Sequence, residues 1–251
     1  MRILQNSVIS IAGFDPSAGA GLLADIKAFE QIGVYGCAIA TGITYQNDIK
    51  FDRASWLGFN EISAQFKPLA ERFHFNYAKI GIIENADMLK DTIKMLINHN
   101  QDIKIIWDPV MKTSSGFLIH KNDFIEEIGP VVSDLYLITP NFEEAKVLGL
   151  ANLISKSNVL VTGQKIDEST ITDVLYTQGK TMHFDAEKHD NVEKHGSGCV
   201  LSAAITAFLS QGFSLEESCA KAKEYTLQFL LSSPGLLGFH HSIYTTETNA
   251  S

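Results

Sequence analysis

Cysteine is scarce in this chain: Cys37, Cys199 and Cys219 are the only three among 251 residues. They form no CxxC pair and no Cys/His ligand spacing, and an odd count argues against a disulfide framework, so all three read as thiols. Long apolar runs are lacking too. No stretch supplies the about 18 uninterrupted apolar residues of a membrane-spanning helix. The opening MRILQNSVISIAGFD has neither the apolar core nor the small-residue cleavage site of a signal peptide. A cytoplasmic location with no membrane partner is therefore expected. Positive charge is in deficit, with 20 Lys and Arg against 29 Asp and Glu and a net charge of −9. That balance argues against nucleic acid as a partner and fits an enzyme of small metabolites. Linkers, low-complexity tracts and internal repeats are absent as well.

What is present is an ample supply of core. Hydrophobic residues make up 45% of the chain and the mean hydropathy is +0.04, which suits one α/β domain spanning residues 1–251. Short β-branched runs alternate with segments of helical period. Strands are expected at 7–12, 77–83, 103–108, 135–139 and 158–162, and helices at 18–32, 86–98, 122–128 and 142–148. This alternation implies βαβ units and a mainly parallel, helix-covered sheet. A hairpin is expected over 172–184 around Gln178 and Gly179, and two closing helices over 198–211 and 214–232. Residues 42–59, GITYQNDIKFDRASWLGF, break the pattern and read either as a small flap or as a connecting loop. Cys37 and Cys219 lie in apolar or helical surroundings and read as packing residues.

Two glycine-rich turns carry the chemical signals. The first, Gly13-Phe14-Asp15-Pro16-Ser17-Ala18-Gly19-Ala20-Gly21-Leu22-Leu23-Ala24, contains GxGxxA. Five residues nevertheless separate its first glycine from Gly19, whereas a dinucleotide fingerprint turns directly after its strand. Asp25, expected in the first turn of the following helix, could accept a hydrogen bond from a substrate hydroxyl. The second turn, His195-Gly196-Ser197-Gly198-Cys199, runs into an alanine-rich helix. Backbone N–H groups and the helix dipole would there form an anion site suited to a transferring phosphoryl group. Cys199 would sit where the dipole favours a thiolate, although a packing role explains a small residue at that point equally well. Asn141 and Glu144 have the spacing of a capping box. With Asp108 they also offer three oxygens on the ligand-binding rim of a parallel sheet, as a Mg2+ site would require.

Five ordered motifs extend over nearly the whole chain: IAGFDPSAGAGLLADIKAFEQIGVYGCAIATGITYQND from Ile11, KIGII from Lys79, DPVM from Asp108, ITPNFEEA from Ile138 and HGSGCVLSAA from His195. In these the chain resembles the hydroxymethylpyrimidine and phosphomethylpyrimidine kinases of thiamine biosynthesis, members of the ribokinase-like superfamily. The resemblance implies an α/β three-layer sandwich with a mainly parallel central sheet and a small flap near residues 42–59. It implies ATP-dependent phosphorylation of 4-amino-5-hydroxymethyl-2-methylpyrimidine and its monophosphate, with ATP and Mg2+ as cofactors and a homodimer built through the sheet extension.

Carried over position by position, the resemblance gives the pyrimidine to Gln46, Asp25, Gly13 and Val110. The nucleotide falls to Asn141, Glu144, Thr162, Gly163 and Ser197, and the metal to Asp108 and Glu144. Gly196, Gly198 and Cys199 take the anion hole and the catalytic position. A carboxamide at Gln46 suits a ring nitrogen beside an amino group, because it donates and accepts side by side. Two departures stand out. Val161-Thr162-Gly163-Gln164 replaces the usual VKGG, removing a lysine near the nucleotide that Lys165 could replace, and the segment between Glu144 and Val159 is short. Pyridoxal or pyridoxine phosphorylation, and a pyrimidine-binding homologue without turnover, are the competing readings.

Overall fold

The computed structural model describes residues 7–112, 116, 118–119, 124–189 and 192–241. Among the described residues nine strands form one sheet: β1 (Ser7–Phe14), β2 (Tyr35–Gln46), β3 (Phe51–Trp56), β4 (Tyr77–Ile80), β5 (Lys104–Trp107), β6 (Leu137–Ile138), β7 (Asn158–Lys165), β8 (Thr170–Thr177) and β9 (Lys180–Glu187). Their spatial order is β3-β2-β1-β4-β5-β6-β7-β8-β9. From β2 through β7 all neighbours are parallel, and β3, β8 and β9 are added antiparallel at the two edges. The helices are α1 (Gly21–Gln31), α2 (Phe59–Ala70), α3 (Ala86–His99), α4 (Phe124–Ile128), α5 (Phe142–Leu148), α6 (Leu150–Ile154), α7 (Ser197–Ser210) and α8 (Leu215–Leu231).

Alternation along the strands explains the layering. On β1, Ile9 and Ile11 face one core with Ile62 and Phe66 of α2 and Leu89 and Ile93 of α3. Val8 faces the other way, into a core with Ala28 of α1, Ala203 and Ala204 of α7 and Ala222 of α8. Successive side chains of a strand point to opposite faces, so a sheet covered by helices on both sides needs apolar residues of both parities. Helix α7 is buried at every position from Val200 to Leu209. Its alanines let α1 and α8 approach closely. Cys37 and Cys219 are buried, one in each core.

The expected flap is the outer end of this sheet. Residues 44–46 continue β2 beyond its pairing with β1, which ends at Ile43, and β3 closes an antiparallel edge with a bulge between Tyr45 and Gln46. The hairpin β8–β9 turns at Gln178 and Gly179, both with positive φ (45° and 76°), the geometry that matches strand twist. β8 begins before, and β9 runs beyond, the expected hairpin span. The start of the helix expected at Asn122 lies outside the described residues. β2 from Tyr35 and helix α2 had no counterpart in the sequence reading. Among the described residues no helix is long and apolar enough to cross a membrane.

The sheet order reverses at β1, whose chain continues into β2 on one side and whose other neighbour is β4. Ligands of open α/β sheets bind beyond the carboxyl ends of the strands at such a switch point. Both glycine turns and Asp108 lie there.

Candidate active site

A cleft of about 1170 Å³ opens over the carboxyl ends of the parallel strands. The turn after β1 forms its floor. Gly21 has φ +57°, and a Cβ on it would stand 2.2 Å from the Gly13 carbonyl oxygen. Gly196 has φ +78°, and its Cβ would stand 2.1 Å from the carbonyl oxygen of Gly19. The two glycine turns therefore press backbone to backbone, a contact only glycine permits. Asp15 locks them together. Its carboxylate accepts from the Ser17 and Ala20 backbone N–H groups at 2.9 Å and meets His195 Nε2 at 2.9 Å. Burial raises the Asp15 carboxyl, but His195, Ser17 and Ala20 together hold it below the ordinary carboxylate range.

Helix α7 starts on this platform without a side-chain cap, Gly196 being its left-handed N-cap residue. Its first turn takes no side-chain cap; the Ser197 N–H donates to the Lys194 carbonyl at 3.3 Å, while Gly198 and Cys199 line the cleft at the positive end of a 14-residue helix. Gly198 is exposed there, and a Cβ on it would meet nothing within 4 Å. A strap from the C-terminal segment steadies the turn from behind: Lys194 Nζ donates to the carbonyls of Ser233 (2.7 Å) and Gly235 (2.6 Å), and the His195 N–H to Leu236 O (2.9 Å).

Beneath the cleft lies a buried charge cluster. Lys79 of β4 and Asp25 of α1 are both fully buried and pair through two contacts of 2.8 Å, with Ser10 Oγ also donating to Asp25. Burial alone would lower the Lys79 ammonium, but the Asp25 carboxylate, with Asp108 adding to it, outweighs this and keeps the group charged. Asp108, at the end of β5, accepts from Ser202 Oγ at 3.2 Å and is raised by burial, with Lys79 opposing. Burial pushes the Cys199 thiol up to about 12, Asp108 and Asp25 add to this, and Lys79 and the Gly21 N–H act against it. At neutral pH Cys199 is a thiol; the expected dipole-stabilised thiolate is overruled by desolvation and two neighbouring carboxylates.

The sequence-derived residues distribute clearly. Gly13, Gln46, Val110, Asn141, Thr162, Gly163, Ser197, Gly198 and Cys199 all line the cleft, Gly13 and Gln46 on β1 and β2 and Asn141, Thr162 and Gly163 on the β6–β7 side of the sheet. Asp25 is corrected: it does not line the cleft, it stands beyond the first turn of α1, and it serves as the counter-ion of Lys79. Residues that sequence reasoning missed are Asp15, His195, Lys79 and Thr44. A lysine inside the apolar strand YAKI was the one signal of a buried ion pair.

Asn141 and Glu144 form a complete capping box. Asn141 Oδ1 accepts from the Glu144 N–H, and the two Glu144 oxygens accept from Met111 N (3.1 Å) and Asn141 N (2.9 Å). Burial raises the Glu144 carboxyl to about 7. Among the described residues no three His, Cys, Asp or Glu side chains gather as a metal cage. Such a donor set would suit Mg2+ that keeps its waters and arrives with phosphates, with Asp108 and Glu144 as the residues that would hold it. Thr162 stands where the VKGG lysine would be; Gly163, with φ +70°, donates to Asp173 Oδ1 at 2.8 Å, and the exposed Lys165 also lines the cleft.

Residues 15–243 match the family model described as phosphomethylpyrimidine kinase. The chain belongs to this family. It is 33% identical over 225 residues to a bifunctional thiamine biosynthesis protein of Methanocaldococcus jannaschii, covering 89% of this chain and about half (53%) of that protein. It is 30% identical over 244 residues to a hydroxymethylpyrimidine/phosphomethylpyrimidine kinase of Staphylococcus aureus, covering 90% of this chain and 88% of that one. Among solved structures, the pyridoxal kinase of Staphylococcus aureus in complex with AMP-PCP and pyridoxal superposes with a TM-score of 0.82 at 22% identity, over 96% of this chain and 95% of that one. This last likeness establishes the shared fold, the ribokinase-like α/β sandwich.

Proposed function

We propose that the chain uses MgATP to phosphorylate 4-amino-5-hydroxymethyl-2-methylpyrimidine and its monophosphate. The observation that carries this reading is the cleft itself, which places Gln46 and the uncapped start of α7 on the walls of one cavity. The carboxamide would bind the aminopyrimidine edge, next to Gly13 and Val110. The N–H groups from Gly196 to Cys199 would hold the γ-phosphoryl group, and Asn141, Thr162, Gly163 and Ser197 the rest of the nucleotide. Phosphoryl transfer demands mainly alignment and positive potential around the equatorial oxygens. When bound, Mg2+ would supply charge neutralisation at the phosphates, oriented through Asp108 and Glu144.

Cys199 enters as a neutral thiol that orients the attacking hydroxyl, above a Lys79 ammonium that keeps the local potential from becoming wholly negative. Cys199→Ala is expected to lower kcat at least tenfold with little change in pyrimidine KM, a transition-state interaction of over roughly 1.4 kcal/mol. Unchanged turnover would remove Cys199 from the chemistry.

The pyridoxal kinase likeness supports a second reading, phosphorylation of pyridoxal, whose ring also carries a hydroxymethyl group. ADP release with MgATP and, separately, hydroxymethylpyrimidine, its monophosphate and pyridoxal, with products identified by mass, separates the two. Pyrimidine products support the proposal. Pyridoxal phosphate alone moves the enzyme to vitamin B6 salvage, and no ADP release with any acceptor leaves a binding protein.

The assembly belongs to the same proposal: a cytoplasmic homodimer formed through the outer sheet, where Tyr35, Ile43, Tyr45 and Ile49 are exposed. Burying such an apolar edge is the usual way to protect it. Light scattering should give twice the 27.6 kDa of one chain; a mass near one chain would contradict the dimer.

A further inference from the structure

Thr44 lies two residues before Gln46 on β2, is 3% exposed and lines the pyrimidine end of the cleft. Its hydroxyl donates its one proton to the Phe14 carbonyl at 3.0 Å. With that proton committed, Oγ1 can only accept, and it accepts from Gln46 Nε2 at 2.9 Å. A carboxamide presents a donor on one side and an acceptor on the other, and only its hydrogen-bond partners decide which is which. Turning the Gln46 amide over would bring two acceptors face to face, or would force Thr44 to abandon Phe14. In the observed arrangement one Nε2 proton is used by Thr44, leaving the second Nε2 proton and Oε1 for a ligand.

We infer that Thr44 is a positioning residue that fixes the orientation of the Gln46 carboxamide and thereby sets specificity for a ring presenting an acceptor nitrogen beside an amino donor. This rests on the reading of Gln46 as the pyrimidine-binding residue. A 4-oxo ring, which presents N–H beside a carbonyl, offers the opposite pattern, and a locked carboxamide meets it with donor against donor and acceptor against acceptor. Sites built to pair a substrate's polar groups reject analogues that leave those groups unpaired.

The test compares 4-amino-5-hydroxymethyl-2-methylpyrimidine with its 4-oxo analogue in the wild type, Thr44→Val, Thr44→Ser and Gln46→Ala. Thr44→Val keeps the side-chain shape and removes the hydroxyl; Thr44→Ala serves in its place if the valine variant does not fold. Loss of the lock should reduce the amino-over-oxo preference in kcat/KM by about tenfold, mainly through a higher KM for the amino substrate, with kcat nearly unchanged. Thr44→Ser should restore the preference. A merely structural role would weaken both substrates alike and leave their ratio untouched. If the ratio is unchanged in Thr44→Val, or serine fails to restore it, while Gln46→Ala abolishes discrimination, the Thr44 inference fails alone. If Gln46→Ala keeps the wild-type ratio, the Gln46 reading fails and the Thr44 inference with it.

Discussion

Gly196→Ala should lower turnover at least 100-fold, the scale seen when a preorganised anion-hole donor is lost. Its Cβ would stand 2.1 Å from the Gly19 carbonyl oxygen and 2.7 Å from Ala20 Cα, both backbone atoms, on a residue with φ +78°. Neither obstacle can be relieved by a rotamer change. The two glycine turns must move apart, taking with them the His195–Asp15 contact and the first turn of α7. Gly198→Ala is the matching control. Its Cβ meets nothing within 4 Å in the protein, and alanine suits a helix better than glycine, so its melting temperature should match or exceed the wild type. Turnover should still fall about tenfold or more, because the added methyl sits beside the N–H groups meant for the phosphoryl group. Calorimetry and steady-state rates on both variants check this pair. A Gly196→Ala enzyme of normal rate, or a Gly198→Ala enzyme with no kinetic defect, would take the phosphoryl group away from this turn.

Lys79→Met should be the most destabilising single change in the site region. It leaves the carboxylate of Asp25, 0% exposed, with Ser10 as its remaining polar contact, and removes the cation nearest Asp108. Breaking a buried ion pair from one side costs about 3–5 kcal/mol, which for a chain of this size lowers the melting temperature by roughly 10 °C. Removing both charges, Lys79→Met with Asp25→Leu, should recover most of that loss, since a buried pair replaced by apolar groups of similar volume is often neutral. Scanning calorimetry on the single and double variants decides it. A single variant as stable as the wild type would mean that Asp25 is protonated in the native protein.

Much of the architecture was legible along the chain. Apolar runs such as SVISIAGF and KIIW, alternating with helical segments, already required a parallel sheet covered on both faces. Gln178-Gly179 announced the β8–β9 turn, and the glycine turn followed by an alanine-rich helix is where α7 starts at the cleft. Asn141 and Glu144 are instructive in the other direction. Their spacing fits a capping box, and the cap forms because a helix start at the carboxyl end of β6 has its own N–H groups to satisfy; the Mg2+ role proposed for Glu144 with Asp108 comes on top of that.

Asp25 shows where local reading stops. On the sequence it is a carboxylate soon after a glycine turn, and an assignment to substrate follows naturally. Its partner Lys79 is 54 positions away, on a strand that adjoins β1 only through the parallel pairing of Ile9 to Ile11 with Ala78 to Ile80. Cys199 depends still more on its surroundings. Its place in the first turn of α7 favours a thiolate, whereas burial beside Asp108 and Asp25 favours the thiol. By itself, then, the sequence determined most of the parallel strands and their helices, though not β2 or α2, together with the two glycine turns and the family. The tertiary structure alone decided which carboxylates pair, which face the cleft, and in what protonation state Cys199 stands. Periodicity and turn chemistry act between near neighbours in the chain, whereas desolvation and charge depend on what the fold brings together in space.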